Sequence, residues 1–178
     1  MAEPPKAVFK IVINGTMEAV FHELTKTDSA QGAVFNSMLT LNEPGLIAGR
    51  KMQMRTGSGR HAIVHGEVVE VDAPRRFAHT HRFTQHQDPS CTVVYDLKQV
   101  PGGVEVTLTV ENIPTGTKTE VEMNKGGMFI LDNLKSIVET GKPPFGTRAM
   151  YVMFDWLEFV LPASTKSEHW PIDGRRSK

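Results

Sequence analysis

The sequence predicts an α+β domain in which a curved antiparallel sheet is covered by a long C-terminal helix, with two short helices after the first strand. Three observations carry this reading. Val104, Val106, Leu108 and Val110 alternate with Glu105, Thr107, Thr109 and Glu111, the period of a half-buried strand. Gly57-Ser58-Gly59, Asp72-Ala73-Pro74 and Pro101-Gly102-Gly103 separate similar runs, as turns between neighbouring strands do. From about Thr117 the period changes: Met123, Gly127, Ile130, Leu131, Leu134, Ile137 and Val138 fall three and four apart, along one helical face. A sheet with one apolar face must bury it, and this helix is the obvious cover.

In chain order, residues 1–6, with Pro4 and Pro5, read as a loose arm. Ala7 to Ile13 is rich in β-branched residues and forms a strand that Gly15 ends. Thr16 is an N-cap, Glu18 suits the first helical turn, and Val20, Phe21 and Leu24 form the apolar stripe. Asp28 or Ser29 is expected to cap a second short helix through about Met38. After Pro44-Gly45, strands are expected over residues 46–56, 61–71, 75–83 and from Cys91, where Cys91, Val93, Tyr95 and Leu97 share one face. The long helix ends near Gly141, with Pro143 and Pro144 beyond it. Inside it, Gly126-Gly127 costs about 1 kcal/mol per glycine relative to alanine. That cost implies either close packing or room left for a ligand.

Composition narrows the function classes. A chain of 178 residues, 39% hydrophobic and 22% charged, is globular rather than disordered. Lys plus Arg and Asp plus Glu are 20 each, so there is no overall electrostatic footprint for nucleic acid. Arg175, Arg176 and Lys178 make only a small basic end. Cys91 is the sole cysteine, which rules out an internal disulfide. The first ten residues lack a secretory pattern. The most apolar run, 149–161, contains Asp155 and Glu158 and is shorter than the roughly 20 residues that span a bilayer. A cytoplasmic protein without a membrane span is the expectation. No Gly-rich phosphate loop, serine elbow or CxxC pair occurs.

Residues 66–83, GEVVEVDAPRRFAHTHRF, read as strand, tight turn, strand. Uninterrupted alternation puts Val69, Val71, Phe77 and Phe83 on one face together with His65, Glu67, His79 and His81. Apolar bulk with a few polar groups is the lining of a ligand cavity. The expected ligand-binding set is therefore Met52, Met54, His65, Glu67, Val69, Phe77, His79, His81, Val106, Met123, Gly127, Ile130 and Leu134. The histidines and Glu67 fit a polar lining, structural or solvent-facing positions, a divalent-metal site or an acid–base pair. The expectation is a polar lining, with no metal and no cofactor. Arg50, Arg55, Arg75, Arg76 and Arg82 read as a solvated exterior, or one of them as a carboxylate clamp. Cys91 reads as a buried, inert thiol.

The run at 66–83, the hairpin at Pro101 to Gly103 followed by VEVTLTVENIPTGT (104–117), and LDNLKSIVETGKPP (131–144) together resemble the activator of heat-shock protein 90 ATPase homologue-like family, within the START-like (SRPBCC, Bet v 1-like) superfamily. The resemblance covers about residues 6–144. It implies a helix-grip fold with an apolar cavity between sheet and helix, and hence a small apolar or amphipathic ligand. It carries no catalytic set. The alternatives it implies are a cyclase, aromatase or hydrolase working through a Glu67–His pair, and a chaperone-type interaction module. His81 and Met128 stand where relatives often have Trp, which implies a reshaped pocket. Residues 145–170 form an amphipathic extension, expected to pack on the domain, pair with a second copy or lie on a membrane; 171–178 reads as a flexible tail.

Overall fold

The structure is a computed structural model describing residues 5–172. Among these, seven strands form one antiparallel sheet: β1 (Lys6–Ile13), β2 (Met38–Leu41), β3 (Lys51–Arg55), β4 (Ala62–Asp72), β5 (Arg76–Phe83), β6 (Cys91–Val100) and β7 (Gly103–Glu111). Their order is β1-β7-β6-β5-β4-β3-β2. The helices are α1 (Met17–Thr25), α2 (Lys118–Thr140) and α3 (Phe145–Trp156). This is the helix-grip arrangement, with α2 as the gripped helix.

Local chemistry sets the helix ends. Thr16 Oγ1 accepts from the Ala19 amide at 3.1 Å to start α1. Thr117 Oγ1 accepts from the Glu120 amide at 3.3 Å, and Glu120 Oε2 accepts from the Gly116 amide at 2.8 Å. That reciprocal capping starts α2. Gly141, with φ of 83°, takes the left-handed conformation that closes it. The expected second short helix does not form. Residues 26–37 make a turn pinned by a bridge between Gln31 and Ser37, and Phe35 and Asn36 both have positive φ.

A helix of 23 residues is about 35 Å long, and its two halves have different surroundings. The C-terminal half packs solidly: Leu131 and Leu134 are fully buried, while Ile137 and Val138 support them. The N-terminal half approaches the β1 edge through Gly127. A Cβ there would lie 2.3 Å from the Phe9 ring, so glycine allows the close approach. At Gly126 a Cβ would meet only Phe35, at 3.8 Å. The two glycines thus divide the alternatives the sequence left open, one for packing and one for space.

One irregularity controls which residues face inward. Val71 pairs with Phe77 and Glu70 with Ala78, but Val68 pairs with His79 and Val64 with Phe83. The register shifts by one between Val68 and Glu70. A β-bulge adds one residue to one strand, and one residue reverses side-chain parity. Below the bulge the even positions of β4 are therefore inside: Ala62, Val64 and Val68 are buried, while Glu67 and Val69 are exposed.

The chain beyond α3 returns across the outer face of β3 to β5. Trp170 stacks near His65, with ring centres 5.4 Å apart, and the Arg82 guanidinium lies over its indole. Gln53 Nε2 donates to the Trp170 carbonyl at 2.7 Å, and Ser167 Oγ donates to the Gly59 carbonyl at 2.6 Å. Ile172, assigned from sequence to the flexible tail, is buried. Residues 173–178 of that tail, like 1–4 of the N-terminal arm, lie outside the described residues. No helix among the described residues is long and apolar enough to cross a membrane.

Candidate functional site

Because α2 packs chiefly on β1, and also on β7 and α1, the inner face of the middle strands is left for other elements to cover. A cavity of about 670 Å³ opens there, a size that accommodates a drug-sized molecule. Its floor is His79, His81 and Phe83 of β5, with Val93 and Tyr95 of β6 and Leu108 of β7. Met54 and Val64 close one side, and Met123, Gly126, Gly127 and Ile130 of α2 form the roof. Phe35 stacks on Phe129 at 4.9 Å beside the mouth. Met150, Phe154 and Leu157 overhang it.

That overhang is tied down at two points. The Tyr151 hydroxyl donates to the Gly32 carbonyl at 2.8 Å. Glu158 accepts from Thr56 Oγ1 at 2.6 Å and Ser58 Oγ at 2.5 Å. Burial alone would raise the Glu158 carboxyl, but these hydroxyls, with the charges of Arg60 and His61, hold it below its ordinary range.

Two histidines, His79 and His81, lie in the cavity floor. They stand two apart on β5 and point the same way, with ring centres 5.8 Å apart. Both are buried. His79 Nδ1 lies 2.9 Å from the Thr80 carbonyl oxygen. A carbonyl only accepts, so Nδ1 carries the proton and Nε2 is left as a lone-pair acceptor. His79 Nε2 and both ring nitrogens of His81 have no protein partner. Desolvation lowers the His79 pKa to about 4. His81 is pushed well below its ordinary value by burial and then by His79. Both imidazoles are neutral at neutral pH. A buried, unpartnered polar atom costs about 1–3 kcal/mol, so this strand carries hydrogen-bonding capacity that the protein leaves unused.

Of the residues expected from sequence, Met54, His79, His81, Met123, Gly127 and Ile130 line this cavity. Met52, Phe77, Val106 and Leu134 do not; they are packed into the solid core. Glu67 and Val69 are exposed on the opposite face, a correction that follows from the β4 bulge. His65 shares that outer face and packs on Trp170. Its pKa is lowered by burial and by Lys51 and Arg82. The Glu67–His pair is therefore separated by the sheet. Among the described residues no three His, Cys, Asp or Glu side chains gather as a metal-binding group.

Tyr95, Leu108, Phe35 and the overhanging residues were missed as lining. The inward parity of β6 and β7 could have found Tyr95 and Leu108; Phe35 and the overhang depend on folding the sequence did not signal. Cys91 is buried, its thiol donates to the His81 carbonyl at 3.6 Å, and burial raises its pKa to about 11. It is no nucleophile at neutral pH.

Comparison with known proteins fits this geometry. The family model described as activator of Hsp90 ATPase homolog 1-like protein matches residues 4–139. Among solved structures, a Mesorhizobium loti protein is 15% identical with a TM-score of 0.62, over 76% of this chain and 97% of its own. The Aha1 dimer from Colwellia psychrerythraea is 18% identical with a TM-score of 0.61, over 78% of this chain and 98% of that one. DynU16, from the dynemicin biosynthetic locus, is 19% identical with a TM-score of 0.62, over 78% of this chain and 48% of that one. At these identities the likeness is one of fold. No curated protein matches in sequence.

Proposed function

The chain belongs to the activator of Hsp90 ATPase homolog 1-like family, and from that premise we propose that it binds one small apolar molecule between the sheet and α2. The observation that carries this reading is the cavity of about 670 Å³ between the sheet and α2, its wall mostly apolar. An apolar wall supplies affinity by burying surface, at about 25 cal/mol per Å². A few polar groups fix orientation. The Glu67–His pair needed for the acid–base alternative is split across the sheet, so these residues support binding rather than proton transfer.

The test is saturable binding of the neutral dye N-phenyl-1-naphthylamine, followed by its fluorescence. One-to-one binding is expected, weakened at least about tenfold by Gly126→Trp, which projects an indole into the cavity from α2. Absence of saturation in the unmodified protein, or equal binding by the variant, would defeat the reading.

A homodimer is the second reading, favoured by α3 and the turn that follows it at Glu158–Val160. Phe145, Trp156 and Phe159 are 78, 80 and 82% exposed, an unusual display of large apolar side chains. A structural relative was solved as a dimer. Light scattering is expected to give twice the chain mass, reverting to monomer in Trp156→Glu/Phe159→Glu; a monomeric parent protein at high micromolar concentration rules it out.

A further inference from the structure

The floor and roof of the cavity are packed sheet and helix, but its cover is a strap whose ends are fixed and whose middle is held chiefly by polar ties. Before α3, the Lys142 carbonyl accepts from Ser136 Oγ at 2.8 Å, at the close of α2. After Pro162 the chain is secured to the sheet again. Lys166 bridges to His61, the Ser167 amide donates to the Arg60 carbonyl at 2.9 Å, and the buried Thr165 hydroxyl lies 2.8 Å from His61 Nδ1. Between those ends, residues 145–161 cross the mouth. They lie beyond the residues 4–139 that match the family model, so the crossing segment is an addition to the shared domain.

This segment has little core of its own. Tyr151 is the one buried residue of α3, and none of Glu158–Val160 is buried. Phe154 and Leu157 line the cavity, yet each is 45% exposed. An apolar molecule inside would bury surface that the protein alone does not. The ties that hold the middle down are the Tyr151 hydroxyl on the Gly32 carbonyl and the Glu158 carboxylate on the Thr56 and Ser58 hydroxyls. Polar bonds at a surface exchange for bonds to water at small net cost. A segment with few buried contacts opens more readily than a packed helix.

We propose that residues 145–161 are a lid on the cavity, an inference that rests on the cavity reading above. The lid lifts when Glu158 leaves Thr56 and Ser58, admits an apolar molecule, and settles on it through Met150, Phe154 and Leu157.

The test follows N-phenyl-1-naphthylamine entering and leaving the full chain by stopped-flow fluorescence, in the unmodified protein, in Glu158→Ala and in Tyr151→Phe. A latch that holds the lid equally with and without dye slows entry and exit alike. Releasing it is expected to raise both rates together, at least about fivefold in Glu158→Ala, the scale of one net hydrogen bond, with Kd moving less than about threefold. Tyr151→Phe is expected to act in the same direction. A fixed wall behaves otherwise: its loss raises dissociation alone, and Kd rises in step. Hydrogen exchange gives a second reading. Amides of 145–161 are expected to exchange faster than those of 131–140 in the free chain, and to slow when the dye is added. Dissociation raised alone, unchanged rates in Glu158→Ala, or exchange in 145–161 that the dye leaves unaltered overturns the lid and leaves the cavity reading standing. Absence of saturable dye binding removes the cavity reading and the lid with it. Should a variant not fold, judged by circular dichroism, the exchange of the unmodified chain decides the matter.

Discussion

Between pH 6.5 and 4 the protein is expected to lose about 3 kcal/mol of folding stability through His79 alone. The free imidazole titrates near 6.5 in the unfolded chain, whereas burial holds it at about 4 in the folded one. As pH falls through 6.5 the unfolded state takes up a proton that the folded state refuses. The equilibrium shifts toward unfolding until the folded state also protonates near pH 4. Below that the loss is constant. His81 and His65 are shifted in the same direction and deepen the effect. The lowered carboxylates, Asp72, Asp88, Glu139 and Glu158, also lose stability in acid, but they titrate below their ordinary range near 4. The interval from 6.5 to 5 therefore isolates the histidines. Urea denaturation across that interval is expected to show falling stability, with a shallower slope in His79→Leu by one proton's worth of linkage. A flat profile from pH 7 to 5 would mean that these imidazoles are not buried in neutral form.

The same two histidines show what could be read in the sequence. Alternation along residues 76–83 placed His79 and His81 inward, and the lengthening of period after Thr117 marked α2, because both are local properties of a regular element. The face of β4 was misread because one inserted residue at the bulge reverses parity, and nothing in VVEVD distinguishes a bulged strand from a regular one. His65, Glu67 and Val69 were misassigned together for that single reason. Residues 26–37 were misread for another: Asp28 and Ser29 are good caps, but the segment lacks a sustained apolar stripe, and a turn with Phe35 and Asn36 at positive φ forms instead. The cover over the cavity depends on long-range ties such as Glu158 to Thr56 and Tyr151 to Gly32. These join residues about a hundred positions apart, where no local pattern can announce them.

Gly66→Ala is expected to be among the most damaging single-methyl changes in this chain, costing above about 3 kcal/mol. A Cβ at Gly66 would lie 2.0 Å from the Thr80 carbonyl oxygen and 2.8 Å from its carbon. Those are backbone atoms of the adjacent strand, so no side-chain rotation relieves the clash and β4 must move away from β5. At this point the Glu67 amide already donates to the Thr80 hydroxyl, at 2.9 Å, rather than to a strand carbonyl. The Thr80 carbonyl is the group that fixes the His79 tautomer. Displacing it therefore reaches the cavity floor as well as the sheet. Gly146→Ala is the matched control, since a Cβ there meets nothing within 4 Å and alanine suits a helix better than glycine. Urea denaturation should find the control neutral or slightly stabilised and Gly66→Ala strongly destabilised. A Gly66→Ala protein as stable as the control would show that β4 and β5 do not approach this closely at Gly66.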